Sequence, residues 1–294
     1  MIDSRRIAVA AVATILTFAP KVVAQRSTRH IFVSTLDENG TFVLNLRPAD
    51  FSIKENGAPR EVTRATTDVP MRVLLMVEST SAVGASLTEF RSALTGFLEA
   101  LDPEIEVGFI TTGGQLKIRV PPGTDRQALR AQAQAFSPES GGNSMIEAVL
   151  EADNRLFKTT PPRWPVFVLV TTDLGSARSN PPFDRYNSFV RDYVARGGSA
   201  HAVIIQGSRP GILSTIVENM VHNTGGSLET IGISNSLPDK LRTLGRRISE
   251  DRIAMTGWYE LEYASDSKAA ASAEVEVRVI REGVKVRVSH RRPF

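Results

Sequence analysis

A chain of 294 residues has room for two domains, or for one with small attachments. Its 41% hydrophobic content supports a packed core and excludes wholesale disorder, and a net charge of +3 is too small to mark a nucleic-acid binder. With no cysteine, it has neither disulfides nor thiolate metal sites, so the core alone must stabilise it.

Residues 1–24 read as a secretory signal. Arg5 and Arg6 precede the apolar run IAVAAVATILTFA (7–19), and the small residues of KVVAQ offer cleavage after Ala24. The run is shorter than the ~20 residues that span a bilayer, so no transmembrane anchor is expected after cleavage. Removing it takes the charge from +3 to about +1. The chain is therefore expected to be exported, to the periplasm or beyond. The basic tail HRRPF (290–294) is too short to read a nucleic-acid groove.

Residues 27–68 form a small β unit. HIFVSTLDENGTFVLNL predicts a hairpin around DENG, and FSIKENGAPREVTR a second one turning at Asn56-Gly57. From 69 to 250 the pattern alternates between strand and helix. VLLMV (73–77) and VFVLVTT (166–172) are fully apolar, as strands covered on both faces are. Further strands are predicted at 104–110, 115–120, 201–205 and SLET (227–230). Helices are predicted over 86–101, after Thr124, after Asn143, near 184–196, near 212–223 and after Pro238. Ser86 with Glu89, and Ser144 with Glu147, have the spacing of capping boxes. This alternation predicts an α/β fold: a doubly wound, mostly parallel sheet with helices on both faces. Residues 251–294 return to strands. YELEYA is followed by Val275, Val277 and Val279, which are expected to oppose Val284, Val286 and Val288 in a hairpin across Arg281-Glu282-Gly283.

Ligands of open parallel sheets bind at the carboxyl ends of the strands. Three polar loops gather there: ESTSAVG (78–84), SGGNSMIE (140–147) and TTDLGSARSN (171–180). Hydroxyls from two of them and a carboxylate from the third are the oxygens a hard cation such as Mg2+ requires.

The order of these loops resembles the von Willebrand factor type A domain with its metal-ion-dependent adhesion site. In that family the first strand ends in Asp-x-Ser-x-Ser, a middle loop supplies Thr, and a later strand ends in Asp. The flanks LDENGTFVLNLRPADFSIKENGAPREV, HNTGGSLET (222–230) and WYELEYA are similar to the VWFA-related proteins typical of acidobacteria. The resemblance covers roughly residues 30–290 and implies a Rossmann-like fold and protein binding, often through a cation that a partner's acidic side chain completes. Carried over, the ligand set is incomplete. Glu78 takes the first Asp position, Thr80 the first Ser and Ala82 the second, or, slipped by one, Ser79 and Ser81 match the serines and Val77 replaces the Asp. Asn143 or Ser144 stands for Thr, and Asp173 is unchanged, with Leu174 in place of the usual Gly. The resemblance thus implies a degenerate adhesion site with Glu78, Thr80, Asn143 and Asp173 as candidate metal ligands. Any cation would be Mg2+ or Ca2+; otherwise no cofactor is expected.

Each residue also has an ordinary use. Ser144 caps a helix, Asn143 turns a loop, and Thr80 and Ser81 satisfy loop backbone. Loop amides or Arg178 satisfy Asp173. No enzyme is expected. There is no G-x-S-x-G elbow, TTGGQ and ESGGN lack phosphate-loop spacing, and none of His30, His201, His222 and His290 falls at the polar edge. The function expected is binding of a protein or cell-envelope component through an exposed rim of Glu78, Ser79, Thr80, Ser81, Asn143, Ser144, Asp173 and Arg178. A metal-dependent adhesion module and a plain scaffold are the alternatives. PPRW (161–164) and NPPFDRYN (180–187) place Trp164 and Phe183 in proline-stiffened loops suited to protein contacts, although packing is the commoner fate of such rings.

Overall fold

The structure, a computed structural model, describes residues 27–67, 69–159, 161–174, 183–207, 210–265 and 274–290. The expected secretory signal (residues 1–24) and Arg178 lie outside these residues.

The first strand, β1 (Ser27–Leu36), serves two cores. Ile31 and Val33 pack with Leu46, Phe51, Ile53 and Tyr259, while Phe32, on the other face, joins the core of the α/β unit. After it come β2 (Phe51–Glu55), β3 (Ala58–Arg60) and β4 (Val62–Thr66). The β2–β3 hairpin turns at Asn56 and Gly57 as expected, with φ of 50° and 78°, the left-handed pair that a two-residue hairpin turn demands.

Around DENG the turn forms, the Asp37 N–H donating to the Thr41 carbonyl at 2.9 Å and the Val43 N–H to the Thr35 carbonyl at 3.0 Å, but the extended ladder expected of a hairpin is absent. Beyond the turn only a single bridge, Leu36 to Phe42, returns to β1. Both edges of β1 are already taken by later strands, so residues 44–46 have no ladder to join. The segment is held by a side chain instead: the Leu46 N–H donates to the Tyr259 hydroxyl at 2.9 Å, and that hydroxyl donates to the Val43 carbonyl at 3.0 Å.

The α/β unit follows in chain order: β5 (Met71–Val77), α1 (Leu87–Ala100), β6 (Glu106–Thr111), β7 (Lys117–Gly123), α2 (Arg126–Gln134), α3 (Met145–Ala152), β8 (Trp164–Thr172), α4 (Phe183–Ala195), β9 (Ser199–Ile205), α5 (Ile212–Thr224), β10 (Leu228–Ile231) and α6 (Leu237–Ala254). The sheet order is β10-β9-β8-β5-β6-β7, parallel except for β7, an edge strand whose Pro121 and Pro122 suit that position. Alternate residues of each central strand enter opposite cores. Val73, Leu75 and Val77 meet α1, α2 and α6, whereas Leu74 and Met76 meet α3, α4 and α5. A strand so covered has no solvated face, which is why 73–77 and 166–172 carry no polar alternation.

The last strands are β11 (Trp258–Ser265), β12 (Val275–Val279) and β13 (Lys285–Ser289). The expected Val275–Val288 hairpin is also absent. β12 pairs with β2, and β13 with β1, giving two sheets of order β13-β1-β11-β4 and β12-β2-β3. Period-two valines give each strand one apolar face, and here those faces meet across a sandwich core rather than side by side. Strands from the two ends of the sequence thus share both sheets.

Candidate functional site

At the carboxyl edge of the central sheet, β5 delivers Glu78 into a buried hydroxyl network. Thr80 Oγ1 donates to Glu78 Oε1 at 2.6 Å, while Thr171 Oγ1 and the Thr172 N–H donate to Oε2 at 2.9 and 2.6 Å. Asn143 Nδ2 donates to Thr171 Oγ1 at 2.8 Å, and Asn143 Oδ1 accepts from Thr112 Oγ1 at 3.3 Å. Three loops are thereby tied to one carboxylate. Side chains that the sequence placed on an exposed rim, Glu78, Ser79, Thr80, Asn143 and Ser144, lie beneath it, each at most 4% exposed. The extra methylene of Glu78 lets its carboxylate reach the end of β8, where fixed and rotatable donors satisfy it. Of the eight expected residues, Ser81 alone is exposed among those described.

Neither capping box forms. Ser86 makes no side-chain cap bond, because the 3-10 turn Ser81–Ser86 runs directly into α1. Ser144 Oγ donates to the Thr112 carbonyl at 2.8 Å, and Asn143 Oδ1 instead accepts the Met145 N–H at 3.0 Å. Thr80 does act as the expected local cap, accepting from the Ala82 N–H at 3.3 Å.

Asp173 belongs to a different network. Its Oδ2 accepts from the Gly211 N–H at 2.9 Å and from the Ser214 hydroxyl, so it closes the start of α5. Among the described residues it shares no hydrogen-bond partner with Glu78, Thr80 or Asn143. The four expected metal ligands are therefore split three to one. The described residues contain no group of three His, Asp or Glu side chains placed to hold a metal ion. Thr80, Thr171 and the Thr172 N–H all donate to Glu78, so the one central carboxylate is already engaged by protein donors, which does not fit a direct ligand of Mg2+.

A second, charged network was not legible as a motif. Ser79 Oγ accepts the Gly113 N–H at 2.9 Å and donates to Glu139 Oε2 at 2.6 Å, and Glu139 is also bound by Lys117, at 2.7 Å, and by Arg119. Burial pushes the Glu139 carboxyl up, but the hydrogen bonds from Lys117, Ser79 and Thr111 and the charge of Arg119 outweigh it, bringing it from 4.5 down to about 2. Glycine permits the closeness of these loops: a Cβ on Gly113 would sit 2.6 Å from Ser79 Oγ. The available signal was the Thr111-Thr112-Gly113-Gly114 segment, hydroxyls and glycines at a strand end, which has no phosphate-loop spacing.

The histidines stand elsewhere. His201, at the start of β9, is buried and accepts the Ser227 N–H on Nδ1 at 3.1 Å. Burial first, and the charge of Arg247 second, lower its pKa to about 4.

No protein-family model matches the sequence, and no curated protein matches it. Solved structures do. The chain is similar to a von Willebrand factor type A protein from Catenulispora acidiphila, with 13% identity and a TM-score of 0.51 over 76% of this chain and 51% of that one. It is likewise similar to proximal thread matrix protein 1 from the mussel byssus, at 14% identity and a TM-score of 0.50 over 63% and 49%. The chain spans about half the length of each. With a six-stranded, mostly parallel sheet covered by helices on both faces, it has a von Willebrand factor type A-like fold.

Proposed function

We propose that this is an exported, non-catalytic binding protein that recognises another protein or a cell-envelope component through the carboxyl edge of its central sheet, without a completed cation site. The observation that carries the reading is a set of large apolar side chains exposed on that edge. Leu174, Ile212 and Ile233 are 59%, 50% and 64% exposed, beyond the carboxyl ends of the adjacent strands β8, β9 and β10. Phe183, at the start of α4, adds a half-exposed ring, whereas Trp164 is packed away. Apolar groups gathered at one edge suit a partner better than solvent. The exposed residues, rather than the buried Glu78 network, would make contact; the network would hold the loops rigid, which lowers the entropy lost on binding.

Capture from an envelope fraction tests the surface. A specific partner is expected to be retained by the native chain and by Ile253→Asp, a substitution at an exposed residue of α6, but lost with Leu174→Asp combined with Ile233→Asp. Equal capture by all three would leave the scaffold reading. Melting scans in EDTA and in millimolar Mg2+ or Ca2+ are expected to coincide. A native-state cation at 100 times its Kd would add ~2.7 kcal/mol. A shift of that kind, abolished by Asp173→Ala, would reinstate metal-dependent adhesion.

A further inference from the structure

At the opposite edge of the central sheet, where β5 and β8 begin, a cavity of about 400 Å3 opens between the sandwich and the α/β unit. Its volume lies within the range of small-molecule sites, and such sites favour the junction of two packed units. Trp164 from β8 and Trp258 from β11 both line it, together with Met255 beyond α6. Among the described residues, the ionisable lining groups are Glu104, Glu260 and Arg252. Arg252 is engaged by carboxylates, at 2.8 Å to Asp102 Oδ2 and also to Glu104. Glu260 is buried and meets His30 Nδ1 at 2.6 Å. The partly exposed Trp258 indole, with two lining carboxylates against one arginine, attracts positive charge, and an apolar wall that includes Met255 and the edge of the nearly buried Trp164 favours a cation that carries hydrocarbon.

We propose that this cavity binds a small organic cation, an ammonium group on an apolar body. The site is independent of the carboxyl-edge surface, since it lies at the other end of the strands. β8 alone, nine residues long, separates the two by about 26 Å at the usual rise per residue.

The chain contains two tryptophans, and both line the cavity, so intrinsic indole emission reports on this site. Choline and benzyltrimethylammonium are titrated into the full chain beside 3,3-dimethylbutan-1-ol, the uncharged shape analogue of choline. The cations are expected to change the emission saturably, and the alcohol to bind roughly tenfold more weakly. Thr256 lies exposed on the cavity wall, so Thr256→Lys introduces a positive charge without disturbing a core. That variant is expected to melt like the native chain and to lose the response. No saturable change with either cation would overturn the proposal, as would equal binding of the alcohol or an unaltered response in Thr256→Lys.

Discussion

Replacing Glu78 by alanine is expected to cost about 3–5 kcal/mol of unfolding free energy at neutral pH, read from urea denaturation. The carboxylate is fully buried and accepts from Thr80, Thr171 and the Thr172 N–H. Alanine would leave those donors facing a cavity, each unmet group costing about 1–3 kcal/mol unless water enters. Glu78→Gln keeps the volume and one acceptor oxygen. Its oxygen can accept from Thr171 and the Thr172 N–H while its NH2 faces Thr80, whose hydroxyl must turn to accept, so this variant is expected to lose less than Glu78→Ala, roughly 1–3 kcal/mol. The comparison separates two roles for the site. A carboxylate held ready for a cation is under-satisfied without it, and its removal in EDTA would be neutral or stabilising, as at strained functional sites. A loss below about 1 kcal/mol in Glu78→Ala would contradict the closed network.

Glu139→Gln is expected to destabilise the chain by about 2 kcal/mol at pH 7, and the difference should disappear in acid. The Glu139 carboxyl titrates near 2 in the folded chain, against 4.5 ordinarily. A depressed folded pKa adds stability that is present above the unfolded value and lost as pH falls through the folded one. The stability profiles of the native chain and the Glu139→Gln variant should therefore run apart above pH 4.5 and converge by about pH 2. The full shift corresponds to more than 2 kcal/mol, but Lys117 and Arg119 are about a third exposed or more, so solvent screens their share. A constant offset across this range would assign the loss to packing rather than to the ion cluster. Equal stability at pH 7 would remove the strap between residues 79 and 139 as a contributor to the rigid edge.

The apolar runs at 73–77 and 166–172 were readable as buried parallel strands because burial on both faces leaves no polar alternation to obscure them. The Asn56-Gly57 turn was readable because few residue pairs tolerate two consecutive positive φ values. In both cases the sequence constrains the answer locally. Where two chemically equal partners competed, it did not. The valines of β12 and β13 define one apolar face each, and a pattern of period two does not say whether those faces lie side by side or across a core. Ser144 and Asn143 both offer an oxygen to the first turn of α3, and the approach of the Thr112 carbonyl decides which one caps it.

The candidate site divides in the same way. The sequence by itself determined that hydroxyls and carboxylates gather at the carboxyl edge of a von Willebrand factor type A-like sheet, since strand order and loop composition are properties of the chain. Only the tertiary structure decided that Glu78 closes on Thr171 and Thr172, that Asp173 turns to α5, and that Glu139 straps Ser79 to Lys117 and Arg119. Each of these carboxylates had several donors within reach along the sequence. Which donors it meets depends on distances of a few tenths of an ångström, fixed when the two helical layers and the sandwich pack against the sheet.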